Sequence, residues 1–296
     1  MVVLVSGASG HVGSAIASHL IDLGCEVVGL SRSLKAAKGF AQQIQIDLCE
    51  ASFVAKVNSV LPYCDVIVHA AATLDKDLTA PVVSLTNCLG MQHMLALAEQ
   101  WRVKSFIYIS GVPVIGTPQV LPITEDHTTA PLSAYHASKL YGEQLLSIAV
   151  RAGLIGCSLR LTSPVGPGMP SNRIFSAFVT RARANQPLIL AGRGSRCQNY
   201  VDVRDVAVAV EQCLGQAVSG LYNIAGAGFI SNLDLARACV ETLGSSSSIA
   251  FSGQPDSEEG LVWDVSVARA WERFGYIPKY DTAASIRAVD VSLHPR

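Results

Sequence analysis

Tyr135 and Lys139 stand four residues apart in the run Tyr135-His136-Ala137-Ser138-Lys139. On a helix this spacing puts both side chains on one face, so the ammonium can lie beside the phenol. A free phenol titrates near about 10, and a neighbouring cation favours the phenolate and lowers that value. Tyr135 could then give and take a proton at a carbonyl/alcohol pair. A Tyr-x-x-x-Lys step alone is common surface sequence, so its weight comes from a second motif far upstream. Gly7-Ala8-Ser9-Gly10-His11-Val12-Gly13 reads G-x-x-G-x-x-G and directly follows the apolar run 2–5. Gly7 permits a tight turn, Gly10 lets backbone amides approach a pyrophosphate, and Gly13 lets a helix pack close to its strand. Around Ser9, His11 and Val12, the helix N-terminus adds free N–H groups and a partial positive charge. The pair of motifs predicts a bound dinucleotide with an acid/base phenol facing it.

The end of the second strand decides which dinucleotide fits. A carboxylate there grips the ribose hydroxyls of NAD. This chain reads Ser31-Arg32-Ser33 instead. A guanidinium flanked by hydroxyls can receive a 2′-phosphate, which favours NADP(H) over NAD(H). Asp47-Leu48 either contacts the adenine or caps a helix. Ala70, Ala71 and Ala72 leave room for a cofactor to cross the backbone, and His69 before them reads as structural.

These residues need a scaffold, and the pattern supplies one. Apolar runs at 2–5, 27–30, 44–46, 66–69, 106–110 and 155–161 predict strands, and helices fit between them at 11–23, 53–61, 85–101 and 134–152. Strand and helix alternating in this way predict an α/β, doubly wound parallel sheet of Rossmann type. After Pro164 the alternation breaks at the Gly166 to Pro170 loop. A helix over 173–185, a polar loop over 192–198, a return to the sheet over 201–224, and two helices after Asn232 separated by a flexible serine run, 245–248, follow. The expected division is a dinucleotide-binding domain over 1–165, rejoined by 199–226, with a smaller substrate lobe from 166–198 and 227–296.

Half of the 296 residues are apolar, and the net charge is −1 without a Lys/Arg run. A sizeable core is available, and neither nucleic acid nor an anionic membrane surface is expected as a partner. The eight cysteines are scattered without a C-x-x-C. They read as reduced thiols rather than as disulfide or metal sites, and with no long apolar run the expected location is the cytoplasm.

The chain resembles the extended short-chain dehydrogenase/reductase family, in its NAD-dependent epimerase/dehydratase group. The likeness rests on the glycine turn, Asp47-Leu48, His69 to Ala72, Asn87 with Gly90, Tyr135/Lys139, Leu159 to Gly168, Tyr200 to Ala207, Tyr222 to Ile224 and Gly275 to Pro278. It implies transient hydride transfer on a nucleotide-linked sugar. Tyr135 would be the acid/base, Lys139 would hold the nicotinamide ribose, Asn87 would be part of the cofactor site, and Pro164 and Val165 would lie near the nicotinamide. It further implies a homodimer through the two long helices. Three departures stand out. Ser110-Gly111 replaces a hydroxyl pair whose second member polarises the substrate oxygen, so Ser110 becomes the candidate donor beside Gly111; losing one such donor lowers a rate by about 100-fold. Val112-Pro113 replaces the acidic pair that dehydration requires. Ser163 and Gln198 replace an Asn and an Arg used on the substrate diphosphate, leaving Arg173, Arg193 or Arg196 to supply charge. A non-sugar carbonyl or alcohol substrate, and a non-catalytic NADP(H)-binding role, stay open beside the nucleotide-sugar expectation.

Overall fold

The computed structural model describes residues 1–33, 39–74 and 81–294. Its elements run β1 (Val2–Ser6), α1 (His11–Asp22), β2 (Glu26–Ser31), β3 (Gln42–Gln45), α2 (Phe53–Val60), β4 (Val66–His69), α3 (Gly90–Trp101), β5 (Ser105–Gly111), α4 (Ala134–Arg151), β6 (Gly156–Leu161) and β7 (Ser163–Val165). There follow α5 (Ile174–Arg183), β8 (Leu188–Leu190), β9 (Cys197–Asp202), α6 (Val203–Leu214), β10 (Gly220–Ile224), β11 (Phe229–Ser231), α7 (Asn232–Thr242), β12 (Ile249–Phe251), α8 (Ala268–Phe274) and α9 (Thr282–Leu293). A parallel seven-stranded sheet with order β10-β6-β5-β4-β1-β2-β3 forms the centre. The order in which the chain lays down these parallel strands reverses between β1 and β4, the crevice where such sheets bind ligands.

The apolar runs explain the sheet. Val3, Leu4 and Val5 are fully buried, because helices cover both faces and alternation is not required. On one face α1 and α6 pack Ile16, Leu20, Val206 and Val210 against Val3, Val5, Ile107 and Leu159. On the other, α2 and α3 bring Phe53, Met91, Met94 and Leu97 onto Leu4, Val28, Ile67 and Phe106. A separate cluster of Phe175, Phe178, Val179, Leu188, Leu235 and Ile286 joins α5, α7 and α9.

Several expectations differ in detail. The long helix expected from residue 85 opens as a π-helical segment, Ser84–Leu89, before α3. Three helices, not two, follow residue 232. The serine run 245–248 is anchored rather than loose: Ser245 Oγ donates to the Ala182 carbonyl at 2.6 Å, and Ser246 N–H to Asn185 Oδ1 at 2.8 Å. Three-residue strands β7, β8, β11 and β12 carry too few positions to show a period, so they were invisible in the pattern. Among the described residues, no helix is long and apolar enough to cross a membrane, no His, Cys, Asp or Glu group is placed to hold a metal, and all eight cysteines are free.

Candidate active site

The glycine turn is shaped by close approach. Gly7 has φ of +72°, and a Cβ there would lie 2.7 Å from the Ala71 backbone; on Gly13 it would lie 2.2 Å from the Gly7 carbonyl. Only glycine fits either place, and α1 starts at His11 after the N-cap Gly10, which has no side chain to cap its first amides. These amides open onto a cleft of about 200 Å³. Its walls are Gly7, Ser9 and Gly10 from the turn, Leu30, Ser31, Arg32 and Ser33 after β2, Ile46, Asp47 and Leu48 after β3, and Ala70 to Thr73 with Thr86 opposite. The residues suit an extended dinucleotide, with a bare helix terminus for a pyrophosphate and small residues along the floor.

At the far wall, Asp47 Oδ1 accepts from the Cys49 N–H at 2.9 Å, and this bond, aided by Arg32, holds the carboxyl below its usual range. Asp47 thus opens a turn in the cleft wall and does not cap a helix, since α2 starts at Phe53 with Ser52 as its N-cap. Ser31 Oγ donates to the Ser33 carbonyl at 2.8 Å, and Arg32 is exposed. Val12 and His11 open α1. Burial pushes the His11 imidazole down to about 4, against the opposing pull of Gly166 and Asp202, and its Nε2 has no partner among the described residues.

Asn87 is the hinge between this cleft and α4. Its Oδ1 accepts from the Thr73 N–H at 2.8 Å, while Nδ2 donates to the Thr73 carbonyl at 3.1 Å and to Ser138 Oγ at 2.9 Å. Ser138 in turn donates to the Tyr135 carbonyl at 2.7 Å. The cleft wall and the Tyr135 turn are thereby tied together. Ser133 caps α4, accepting from the His136 N–H at 3.2 Å.

Lys139 is 3 % exposed and donates to the Ile109 carbonyl at 2.7 Å. Its Nζ lies 4.9 Å from the Tyr108 ring centre and 5.8 Å from that of Tyr135. Its hydrogen-bond acceptor is the Ile109 carbonyl and not the phenol, and the phenol is not softened as expected. Burial pushes Tyr135 up to about 12, with Arg173 pulling the other way, and burial pushes Lys139 down to about 7 against Glu143. Below them His69 Nδ1 pairs with Ser6 Oγ at 2.6 Å, its ring stacked on Tyr108.

Ser110 is also differently engaged. Its hydroxyl donates to Glu143 Oε1 at 2.5 Å inside a buried pair with Arg160, so it is not free for a substrate oxygen. Gly111 has an ordinary extended backbone, φ −146° and ψ 140°. Ser163, Pro164 and Val165 form β7, paired with Tyr200, Val201 and Asp202 of β9. Arg173 stands exposed at the start of α5, with its charge acting on Tyr135. Arg196 is held in an ion pair with Glu258.

The NAD dependent epimerase/dehydratase family matches residues 3–225, from β1 through β10. The chain belongs to that family, a family of enzymes. A putative UDP-glucose 4-epimerase of Methanocaldococcus jannaschii is 28 % identical over 219 residues, which cover 70 % of this chain and 71 % of that protein. The crystal structure of a UDP-glucose 4-epimerase from Thermotoga maritima with UDP-glucose superposes with a TM-score of 0.90 at 22 % identity, covering 99 % and 98 % of the two chains. That of a Thermus thermophilus UDP-glucose 4-epimerase in complex with NAD gives 0.85 at 25 % identity, covering 99 % and 98 %. Within the family frame, three groups at the site had escaped the motifs. Thr73 and Thr86 in the cleft wall carry no local signature. Glu143 did carry one, since it falls four residues after Lys139 on the same helical face.

Proposed function

We propose that the protein is an oxidoreductase or epimerase of a nucleotide-linked sugar, working with a nicotinamide dinucleotide and with Tyr135 as its acid/base group. The observation that carries this reading is the hydrogen-bonded path from Thr73 in the cleft wall, through Asn87 and Ser138, to the turn of α4 bearing Tyr135 and Lys139. When bound, the dinucleotide supplies the group that accepts a hydride from a sugar carbon and returns it. Tyr135 takes the hydroxyl proton as that carbon is oxidised and gives it back on reduction. With its phenol up near 12, the resting residue is a proton donor, and the Arg173 cation lowers the cost of its anionic form. Lys139, anchored on Ile109, presents its ammonium beneath the ring, where a ribose hydroxyl would be held. Val112-Pro113 offers no acid or base after β5, so epimerisation or net redox chemistry is favoured over loss of water.

Arg32 with Ser31 and Ser33 supports NADP(H) as the partner, since no carboxylate closes β2. A second reading, a non-sugar carbonyl or alcohol, draws on Arg196. Its charge is already met by Glu258, which weakens the case for a diphosphate beside β9. UDP, TDP and GDP decide between the two. The NADPH-loaded protein should melt at higher temperature with at least one of them, whereas no shift with any favours the second substrate class. Tyr135→Phe should abolish turnover while dinucleotide affinity stays near that of the parent; retained turnover removes the acid/base role.

A further inference from the structure

Tyr135, Lys139 and Glu143 recur every fourth residue along α4 and share one helical face. The first two belong to the proposed chemistry. Glu143 does not, although it is 6 % exposed and a carboxylate so deep must be fully partnered. Its Oε1 accepts from Ser110 Oγ at 2.5 Å and from Arg160 Nε at 2.9 Å, and its Oε2 from Arg160 Nη2 at 2.7 Å. Arg160 is itself 3 % exposed and also reaches the Glu125 carbonyl at 3.5 Å. One carboxylate thus joins α4, β5 and β6. The strand it grips at Ser110 is the one whose preceding residue, Ile109, accepts the Lys139 ammonium at 2.7 Å.

The direct acceptor of Lys139 is a neutral carbonyl, so its positive charge needs a counter-charge nearby. The groups around it are His69 on β4, Tyr108 on β5, and Tyr135, His136 and Glu143 on α4, with Cys88 of the π-helical segment beside Tyr108 and Arg160 bound to Glu143. Burial holds both imidazoles below their usual range and both phenols and the thiol above theirs, so none of these is anionic near neutrality. Glu143 is the remaining anion, and its field opposes the burial that favours a neutral amine.

We propose that Glu143 is a positioning residue: clamped by Arg160 and Ser110, its carboxylate is the counter-charge that keeps Lys139 an ammonium beneath Tyr135. The importance of that ammonium rests on the proposed function, but the test does not. Lysine labelled with carbon-13 at Cε is titrated by NMR in the full-length protein, and the Lys139 signal is identified by its loss in Lys139→Met. In the parent its midpoint should lie near 7. In Glu143→Gln it should move to lower pH, and Glu143→Asp should restore it. An unmoved midpoint in folded Glu143→Gln overturns the proposal. Where an unpaired Arg160 prevents folding, the double variant E143Q/R160Q removes both charges. The carboxylate is the charge that acts on Lys139, so this variant too should titrate lower, and an unchanged value there is equally decisive against the idea. If the shift occurs while no nucleotide binds and Tyr135→Phe changes nothing, the proposed function fails and the Glu143 role stands.

Discussion

Gly111 and Gly13 are both glycines at the site, yet they tolerate change very differently. A Cβ on Gly111 would meet Pro113 Cδ at 3.5 Å and the Leu161 carbonyl at 3.8 Å, both ordinary contacts, on a backbone any residue adopts. Gly111→Ser should therefore fold with a melting temperature close to the parent's, and turnover should be preserved or raised if a missing donor limits the rate. Inactivation without loss of stability would mean that substrate occupies this space. On Gly13 the same atom would collide with the Gly7 carbonyl, so no side chain is compatible with the turn. Arg32 decides a different question at the same scale. On the proposed NADP(H) reading, Arg32→Asp should move coenzyme preference toward NADH in paired Kd measurements, and unchanged preference would remove Arg32 as the proposed phosphate contact.

The elements meet through a few polar ties rather than through packing alone. Asn87 spans the gap between the segment after β4 and the first turns of α4, satisfying both backbone groups of Thr73. Asn87→Ala removes these bonds to the half-buried Thr73 and to Ser138, a loss of about 0.5–1.5 kcal/mol per hydrogen bond. Chemical denaturation should show this loss, and dinucleotide affinity should fall with it because Thr73 lines the cleft. A stable variant with unaltered affinity would show that Asn87 ties nothing together. The spacing of Asn87 and Gly90 was legible along the chain, whereas the partners of Asn87 were not. They lie 14 and 51 residues away and carry no motif.

For the molecule as a whole, buried imidazoles link stability to pH. His69 is held down to about 3 and His11 to about 4, in both cases chiefly by burial, against an ordinary value of 6.5. As pH falls below 6.5 the unfolded chain takes up these protons and the folded chain does not, so stability drops through the window between 6.5 and the folded values. The Asp65 carboxyl, held low mainly by Lys104, then by Tyr63 and the Val2 N–H, extends the decline at more acid pH. The melting temperature should fall steadily from pH 6.5 to pH 4, and His69→Gln should flatten that slope. An equal slope in the variant would show that His69 takes no part.

What the chain alone determined was whatever acts within a few residues: the glycine turn, the buried runs that make a doubly wound sheet, and the four-residue step of Tyr135 and Lys139. These are written in local sterics and in the period of the backbone, which no distant partner alters. The tertiary structure decided which atoms these side chains meet. It turned Ser110 toward Glu143, seated Lys139 on Ile109, joined Arg196 to Glu258 and raised the Tyr135 phenol by burial. Protonation and hydrogen bonding depend on desolvation and on neighbours from remote segments, and only the folded chain brings those together.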